Sequence, residues 1–381
     1  MKDKFIIPEG TKDIVLQECA IKNKLQKNIE NVLEKCGFNE IKTPTMEYYQ
    51  TFNRGFQNLK EEDVFKFSDS KGKILVLRPD MTIPIARVVG SKLKNNEGVS
   101  RIRYCSDVFR VHEKFGGRRN EYTDCGVELI GLNDEESDIE ILSTALETLK
   151  VLKNKTYKLE IGNINFFNTL VKDLNITDED KDNLADLVDR KSAKELEDYL
   201  EELDIPQNNK KFLIELPWLF GGSEVIQRAK ELAFSEELDN NIFYMEKLQY
   251  ALTEIGYADN ISFDLGMSPR QDYYTGIIFR GYAEGAGAIV LSGGRYDNLL
   301  KKFDKDSPAI GFSINLDAMI EALDESYLEE VKKFKIHYPK KYELIVIKKA
   351  NILRNEGKIV ELVPDNQIDD IKVEEEVIYR W

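Results

Sequence analysis

The sequence predicts an α+β fold: a largely antiparallel sheet flanked by helices, with a helical insertion and a short α/β segment at the C-terminus. Three observations carry this. Short β-type runs recur at Ile74–Leu77, Ile102–Cys105, Glu121–Ile130, Tyr157–Ile161, Ile277–Phe279 and Ala288–Leu291, parted by turn residues and not by regular crossover helices. From about residue 166 to 256 the composition turns helical and acidic. Beyond Asp324 the pattern reads strand (Tyr342–Ile347), helix (Lys348–Asn355) and strand (Ile359–Val363), followed by an acidic and apolar tail ending in Trp381. The expected boundaries are a core of residues 1–165 and 257–325, an insertion of residues 166–256 and a C-terminal segment of residues 326–381.

After an extended Phe5-Ile6-Ile7-Pro8, the residues Ile21, Leu25, Ile29, Val32 and Leu33 recur at helical spacing, and Gly37 supplies a left-handed stop. Inside the insertion, Thr177 with Asp180 and Ser192 with Glu195 have the spacing of capping boxes. Leu196, Tyr199, Leu200 and Leu203 continue a helical stripe from the second box, and Leu219-Phe220-Gly221-Gly222 interrupts the helical run. Lys332, Lys333, Lys335, Lys340 and Lys341 make the entry to the C-terminal segment locally positive, which reads as a solvated linker in preference to a nucleic-acid patch.

Composition narrows the function. A chain of 381 residues with 42% apolar content has enough material for two or three domains. Fifty-four basic against sixty-nine acidic residues leave a net charge of −15, which opposes general binding to a polyanion. No apolar run has the length of a signal peptide or a membrane span, so the expected location is cytoplasmic. Cys19, Cys36, Cys105 and Cys125 sit singly, without a C-x-x-C pair, and are read as buried reduced thiols. The two histidines, His112 and His337, lack partners at ligand spacing, which argues against a histidine-based metal site or a Ser-His-Asp triad. There is no Walker motif, and Gly285-x-Gly287 lacks the third glycine of a dinucleotide fingerprint, so no metal or cofactor is expected.

Three stretches concentrate chemistry. Gly37 to Glu47 leaves a helix and enters a strand with Pro44 where a missing amide donor is tolerated only at a strand start or sheet edge. Phe109-Arg110 opens a second stretch, running through Gly116-Gly117-Arg118-Arg119 into Glu121 to Glu128. As a strand, its last part puts Tyr122, Asp124, Gly126 and Glu128 on one face. Asp124 and Glu128 are then roughly 13 Å apart by strand rise, too far for a catalytic pair. They could hold two ends of a small cationic or polar ligand above Gly126; taken alone, two such acids favour an exposed sheet face. The third stretch joins Gln271-Asp272-Tyr273-Tyr274-Thr275-Gly276 with Ser292-Gly293-Gly294-Arg295-Tyr296-Asp297. Paired tyrosines form a rigid amphipathic wall, and a double glycine lets backbone approach a ligand.

Together these stretches resemble the class II aminoacyl-tRNA synthetases, and histidyl-tRNA synthetase in particular. Pro8-Glu9-Gly10-Thr11-Lys12-Asp13 is similar to that family's N-terminal signature, Pro44 to its motif 1 proline at a dimer interface, and Phe109 to Glu128 to motif 2. Leu77 to Thr82 resembles the strand end that contacts the amino acid, and Asp272-Tyr273-Tyr274 and Gly293 to Asp297 resemble the two histidine-specific segments. The resemblance spans about residues 5–325 and implies a histidine-type pocket of Asp80, Thr82, Arg110, Asp124, Glu128, Tyr273 and Tyr274.

Departures from the pattern redirect the function. Ala318 stands where motif 3 has an ATP-gripping arginine, Pro269 where a catalytic arginine precedes the paired tyrosines, with Arg270 one residue out of register, and Asn120 where a second arginine follows the motif 2 turn. Each lost donor of this kind costs about 10²–10³-fold in rate. The C-terminal segment is also short for the family's anticodon-binding domain. A histidyl core lacking these parts is similar to the ATP phosphoribosyltransferase regulatory subunits. That resemblance implies no catalytic residues, a short-form catalytic subunit as partner, a homodimer built into a hetero-oligomer, free histidine as a candidate ligand, and neither tRNA nor membrane as a partner. Asp80 replaces a glutamate and Asp124 a glutamine of the synthetase pocket. The competing readings are a divergent histidyl-tRNA synthetase, another synthetase-like amino-acid sensor, and a scaffold with a dead pocket.

Overall fold

The computed structural model describes residues 6–56, 61–111, 119–153, 155–267, 273–323, 327 and 329–380. His112, Gly116 to Arg118, Pro269, Arg270, Gln271 and Asp272 lie outside the described residues. The chain forms two compact units, one of residues 1–13 and 25–322, the other of residues 14–24 and 323–381.

The described strands of the first unit are β1 (Asn39–Glu40), β2 (Met46–Tyr48), β3 (Lys66–Ser68), β4 (Ile74–Leu77), β5 (Ser100–Phe109), β6 (Glu121–Ile130), β7 (Tyr157–Asn163), β8 (Phe220–Gly221), β9 (Ile261–Asp264), β10 (Ile277–Ala283), β11 (Leu291–Arg295) and β12 (Ala309–Asn315). Nine of them make one sheet in the order β1-β5-β6-β12-β11-β10-β7-β9-β8. All neighbours are antiparallel except the β1–β5 and β7–β9 pairs. β2, β4 and β3 form a separate small sheet.

Helix α1 (Leu16–Lys35) buries Leu25, Ile29 and Leu33. It stops as the glycine requires: Gly37 sits at φ +86°, its amide bonds Glu34 O and the Phe38 amide bonds Leu33 O. The other helices of this unit are α2 (Tyr49–Gly55), α3 (Thr82–Ser91), α4 (Glu135–Leu149), α5 (Asn165–Val171), α6 (Asp178–Asp189), α7 (Ala193–Glu202), α8 (Gln207–Glu215), α9 (Glu224–Leu232), α10 (Glu236–Glu254) and α11 (Leu316–Glu321). Helices α5 to α10 occupy the stretch read as an insertion. The box at α6 closes in both directions, Asp180 N to Thr177 Oγ1 at 3.1 Å and Thr177 N to Asp180 Oδ2 at 2.9 Å. The box expected at Ser192 does not form, because its backbone, at ψ 65°, makes no side-chain cap. Phe220-Gly221, read as a mere break, pairs with β9 as a strand.

In the second unit, β13 (Glu329–Tyr338) runs between β14 (Ile359–Pro364) and β15 (Lys372–Arg380), with helix α12 (Glu343–Asn355) packed on the sheet. Two expectations are corrected here. The run Tyr342–Ile347 is not a strand but leads into α12, where Val346 and Ala350 at helical spacing bury against Ile336, Tyr338 and Val360. Packing of that stripe outweighs the β-branched composition. The lysines at 332, 333 and 335 are not a linker either; they belong to the central strand, whose alternate residues Ile336 and Tyr338 are core. Lys332 pairs with Glu375, Lys333 with Glu361 and Lys335 with Glu376, solvent-screened contacts on the face of the sheet that add little to stability.

The expected start of a strand at Ala288 moves to Leu291. The cysteine reading also changes. Cys105 and Cys125 face each other across the β5–β6 ladder, with Cα atoms 4.0 Å apart, and are disulfide-bonded. Sequence spacing could not show this, since the pairing depends on the register between two strands. Cys19 and Cys36 are free.

Candidate functional site

All seven residues expected in a histidine-type pocket line one cavity of about 990 Å³. The sheet supplies Asp124 and Glu128 from β6, while α3 begins at Thr82 and places Asp80 just ahead of it. Asp124 and Glu128 are not on an exposed face: they are 5% and 2% exposed and line the same cavity as Tyr273 and Tyr274. The floor at Gly126 is not open space either. A side chain there would strike the Tyr104 hydroxyl and the Phe312 carbonyl, so the glycine makes room for packed atoms.

Glu128 is the best-anchored acid. Thr82 Oγ1 donates to its Oε1 at 2.9 Å, and the Tyr296 hydroxyl donates to its Oε2. Asp80 accepts the Ile83 amide through Oδ1 at 3.1 Å, and its buried Oδ2 has no hydrogen-bond partner among the described residues. Arg110 donates Nε to Pro79 O at 2.7 Å, while Asp124 is bonded to Ser313. The aromatic wall is tightly made: Tyr273 lies 5.7 Å from Phe56, 5.1 Å from Tyr274 and 5.7 Å from Tyr296 between ring centres. Gly294 is required by this wall, since a Cβ at that position would come within 2.8 Å of the Tyr274 ring.

Burial pushes three carboxyls toward neutrality. Asp80 rises to about 6, Asp124 to about 7 and Glu128 to about 8. Arg110 holds the first two down in part; the hydroxyls of Tyr296 and Thr82 do so for Glu128. For Arg110 itself, burial opposes the charge, but Tyr122, Asp80 and Asp124 outweigh it and raise its pKa. The pocket is therefore acid-rich: Asp80, Asp124, Glu128, Asp317 and Glu321 line it against Arg110, Arg119 and Arg280. Such a lining suits a zwitterion with a cationic group better than a polyphosphate.

These shifts set a sign for stability. A carboxyl whose folded pKa is raised stabilises the fold while protonated, and that contribution fades as pH climbs from about 4 through the folded value. The melting temperature of the free protein is expected to fall across pH 5.5–8.5 as far as these groups control it. Glu128→Gln should flatten the alkaline part of that fall, near pH 7–8.5. Differential scanning fluorimetry of both proteins in that range checks it; parallel curves would remove Glu128 from the effect.

Among the described residues, the arginine departures from the synthetase pattern fall at Ala318 and Asn120. Ala318 is buried in the first turn of α11, its amide capped by Asn315 Oδ1 at 3.0 Å. Asn120 donates Nδ2 to Glu9 O at 3.1 Å and packs on Gly10, held at φ +75°, and it does not line the cavity. Arg119 Nη1 pairs with Asp317 Oδ1 at 2.8 Å, whose other oxygen accepts the Thr123 amide at 3.0 Å. Sequence reasoning missed Tyr296 as a site residue. The signal was present, since strand alternation places it on the side of Gly294. Arg119 with Asp317 gave no local signal, being 198 residues apart.

Comparison with known proteins gives the family and the fold. Residues 10–319 match the family model of histidyl-tRNA synthetase. ATP phosphoribosyltransferase regulatory subunits from Thermoanaerobacter pseudethanolicus and Clostridium acetobutylicum are 38% and 35% identical, over 96% and 97% of this chain and 98% and 92% of theirs. The chain belongs to the histidyl-tRNA synthetase-like family of ATP phosphoribosyltransferase regulatory subunits. A crystal structure from Bacillus halodurans, described as an ATP phosphoribosyltransferase regulatory subunit/histidyl-tRNA synthetase, superposes with a TM-score of 0.87 at 30% identity, covering 97% of this chain and 95% of that one. Histidyl-tRNA synthetase from Nostoc, at 19% identity and a TM-score of 0.79, over 96% of this chain and 87% of that one, shares the fold. The class II synthetase-like architecture expected from the motifs is thus the one observed. Among the described residues, no helix is long and apolar enough to cross a membrane.

Proposed function

We propose that this chain is the non-catalytic, cytoplasmic regulatory subunit that activates a short ATP phosphoribosyltransferase catalytic subunit, at the first step of histidine biosynthesis, and carries histidine feedback. The observation that supports it is a retained amino-acid pocket beside a dismantled phosphate side. Asp80, Glu128 and Tyr274 line the cavity, while Ala318 and Asn120 offer no charge to ATP. In this reading histidine's cationic groups meet the carboxyls, with Asp80 Oδ2, which has no hydrogen-bond partner among the described residues, among them, and its carboxylate meets Arg110. Neither tRNA nor a membrane is a partner. Mixing this chain with the short catalytic subunit from the same genome tests the core of the proposal: activity should appear with both and be suppressed by histidine. A catalytic subunit fully active alone and indifferent to this chain would refute it.

The same reading includes a two-fold homodimer. In the small sheet, Met46 lies opposite Leu77, and Tyr48 and Phe67 opposite Leu75, so these five apolar side chains share a face. Met46, Tyr48 and Phe67 are 53%, 45% and 40% exposed, next to the motif 1-like Pro44. A two-fold axis would bury this face against its own copy. Met46→Asp enters such an interface twice and is expected to raise the dimer dissociation constant roughly a hundredfold, at about 1.4 kcal/mol per copy. Sedimentation equilibrium of both proteins measures it; unchanged association would place the dimer contact elsewhere.

A further inference from the structure

Strand β11 has the ligand cavity on one side and a saturated polar network on the other. On the cavity side, Gly294 seats the Tyr274 ring and Tyr296 holds Glu128. On the other, Arg295 lines a second cavity of about 320 Å³ beside Asp138 of α4 and Tyr244 of α10. Arg295 and Asp138 are 7% and 3% exposed.

Every nitrogen of the Arg295 guanidinium is used. Nε donates to Asp138 Oδ1 at 2.9 Å, Nη2 to Ser137 Oγ at 2.7 Å, and Nη1 to Asp297 Oδ1 at 3.2 Å and Leu132 O at 3.3 Å. Asp138 divides its two oxygens: Oδ1 faces Arg295, and Oδ2 accepts the Tyr244 hydroxyl. A buried pair of this kind adds little stability over apolar residues of the same size, but its geometry is demanding. Hydrogen bonds weaken steeply off-axis, so the bonds of Asp138 to Arg295 and to Tyr244 constrain the orientation of one carboxylate jointly. The backbone of Arg295 is in turn tied to both pocket tyrosines. Tyr296 follows it directly, and the Thr275 amide, next to Tyr274, donates to Arg295 O at 2.7 Å. The Thr275 hydroxyl also accepts the Asp297 amide at 3.0 Å, closing the turn around the strand end.

We propose that Arg295, Asp138 and Tyr244 form a relay by which helix α10 registers what occupies the main cavity. This rests on the reading of that cavity as a regulatory ligand site. A ligand engaging Glu128 and Tyr274 moves Tyr296 and Thr275, these set Arg295, and the split carboxylate of Asp138 passes the change to the Tyr244 hydroxyl. Arg295 and Asp138 are positioning residues here, and Tyr244, which does not line the main cavity, is the output. Coupling is reciprocal, so Tyr244 also acts on ligand affinity.

Hydrogen exchange decides it without any ligand. Amide exchange of residues 236–254 is measured for the wild type, Tyr296→Phe, Tyr244→Phe and the double variant, each substitution deleting one hydroxyl. Tyr296→Phe is expected to speed α10 exchange about fivefold or more, and to add nothing once Tyr244 is Phe. Sites without shared partners add to within about twofold; additive effects, or α10 exchange indifferent to Tyr296→Phe, would overturn the relay. In a second arm, L-histidine should slow α10 exchange in the wild type and not in Tyr244→Phe, although calorimetry shows binding to both; equal slowing in both proteins also overturns it. If calorimetry shows no binding of L-histidine to the wild type, the reading of the cavity fails, and the ligand-free comparison still decides the relay.

Discussion

Histidine-dependent exchange of pyrophosphate with ATP is expected to run roughly 10⁴-fold or more below that of a working histidyl-tRNA synthetase. The reaction builds negative charge on phosphate oxygens in flight, and each preorganised donor facing that charge is worth about 10²–10³-fold. Two such donors are absent at described positions. Ala318 presents a methyl group from the first turn of α11, and Asn120 has its amide on the Glu9 carbonyl, away from the cavity. Of the guanidiniums that line the cavity, Arg119 is paired with Asp317 and Arg280 with Asp189. Labelled pyrophosphate incorporation at saturating ATP and histidine measures the rate. A value within a hundredfold of a working synthetase would return this chain to the enzymes.

What was legible in advance follows from where the information sits. Glu121 to Ile130 alternates strongly enough for its bounds and the shared face of Asp124 and Glu128 to be read directly, and β6 has those bounds. Its burial could not be read, because two acids on one face look solvent-exposed until Arg110, Tyr104, Tyr273 and Tyr274 are brought to the same cavity. Pairing was opaque for the same reason. The bond between Cys105 and Cys125 depends on strand register, and the lysines of β13 acquire meaning only beside Glu361, Glu375 and Glu376. The β-branched stretch before Lys348 misled because local propensity is a weak prior once Val346 and Ala350 find a core. The site itself was legible as a set of motifs; its electrostatics came from three dimensions.

Feedback by histidine in the reconstituted complex is expected to weaken about tenfold or more in Glu128→Gln, read as the half-inhibitory concentration. Both Glu128 oxygens are anchored, by Thr82 and Tyr296, so the glutamine fits the same volume. What it lacks is the charge available to a cationic group of the ligand, and hydrogen bonds to charged groups contribute about 1.5–3 kcal/mol. The pH dependence gives the argument a second handle. With its carboxyl pushed up to about 8, Glu128 is mostly protonated in the free protein at neutral pH, and binding a cation favours its ionised form. Histidine binding should therefore release protons, and the half-inhibitory concentration of the wild type should fall as pH rises from 6.5 to 8.5. That slope should be shallower in Glu128→Gln. Binding alone shifts nothing: inhibition requires histidine to prefer the inactive state of the complex, with couplings typically of about 1–3 kcal/mol. By reciprocity, substrates that favour the active state weaken histidine binding by the same factor, so both curves are compared at one substrate concentration. Superimposable inhibition curves for the two proteins at pH 7 and 8.5 would take this pocket out of the regulatory mechanism and move the inhibitory site to another surface of the complex.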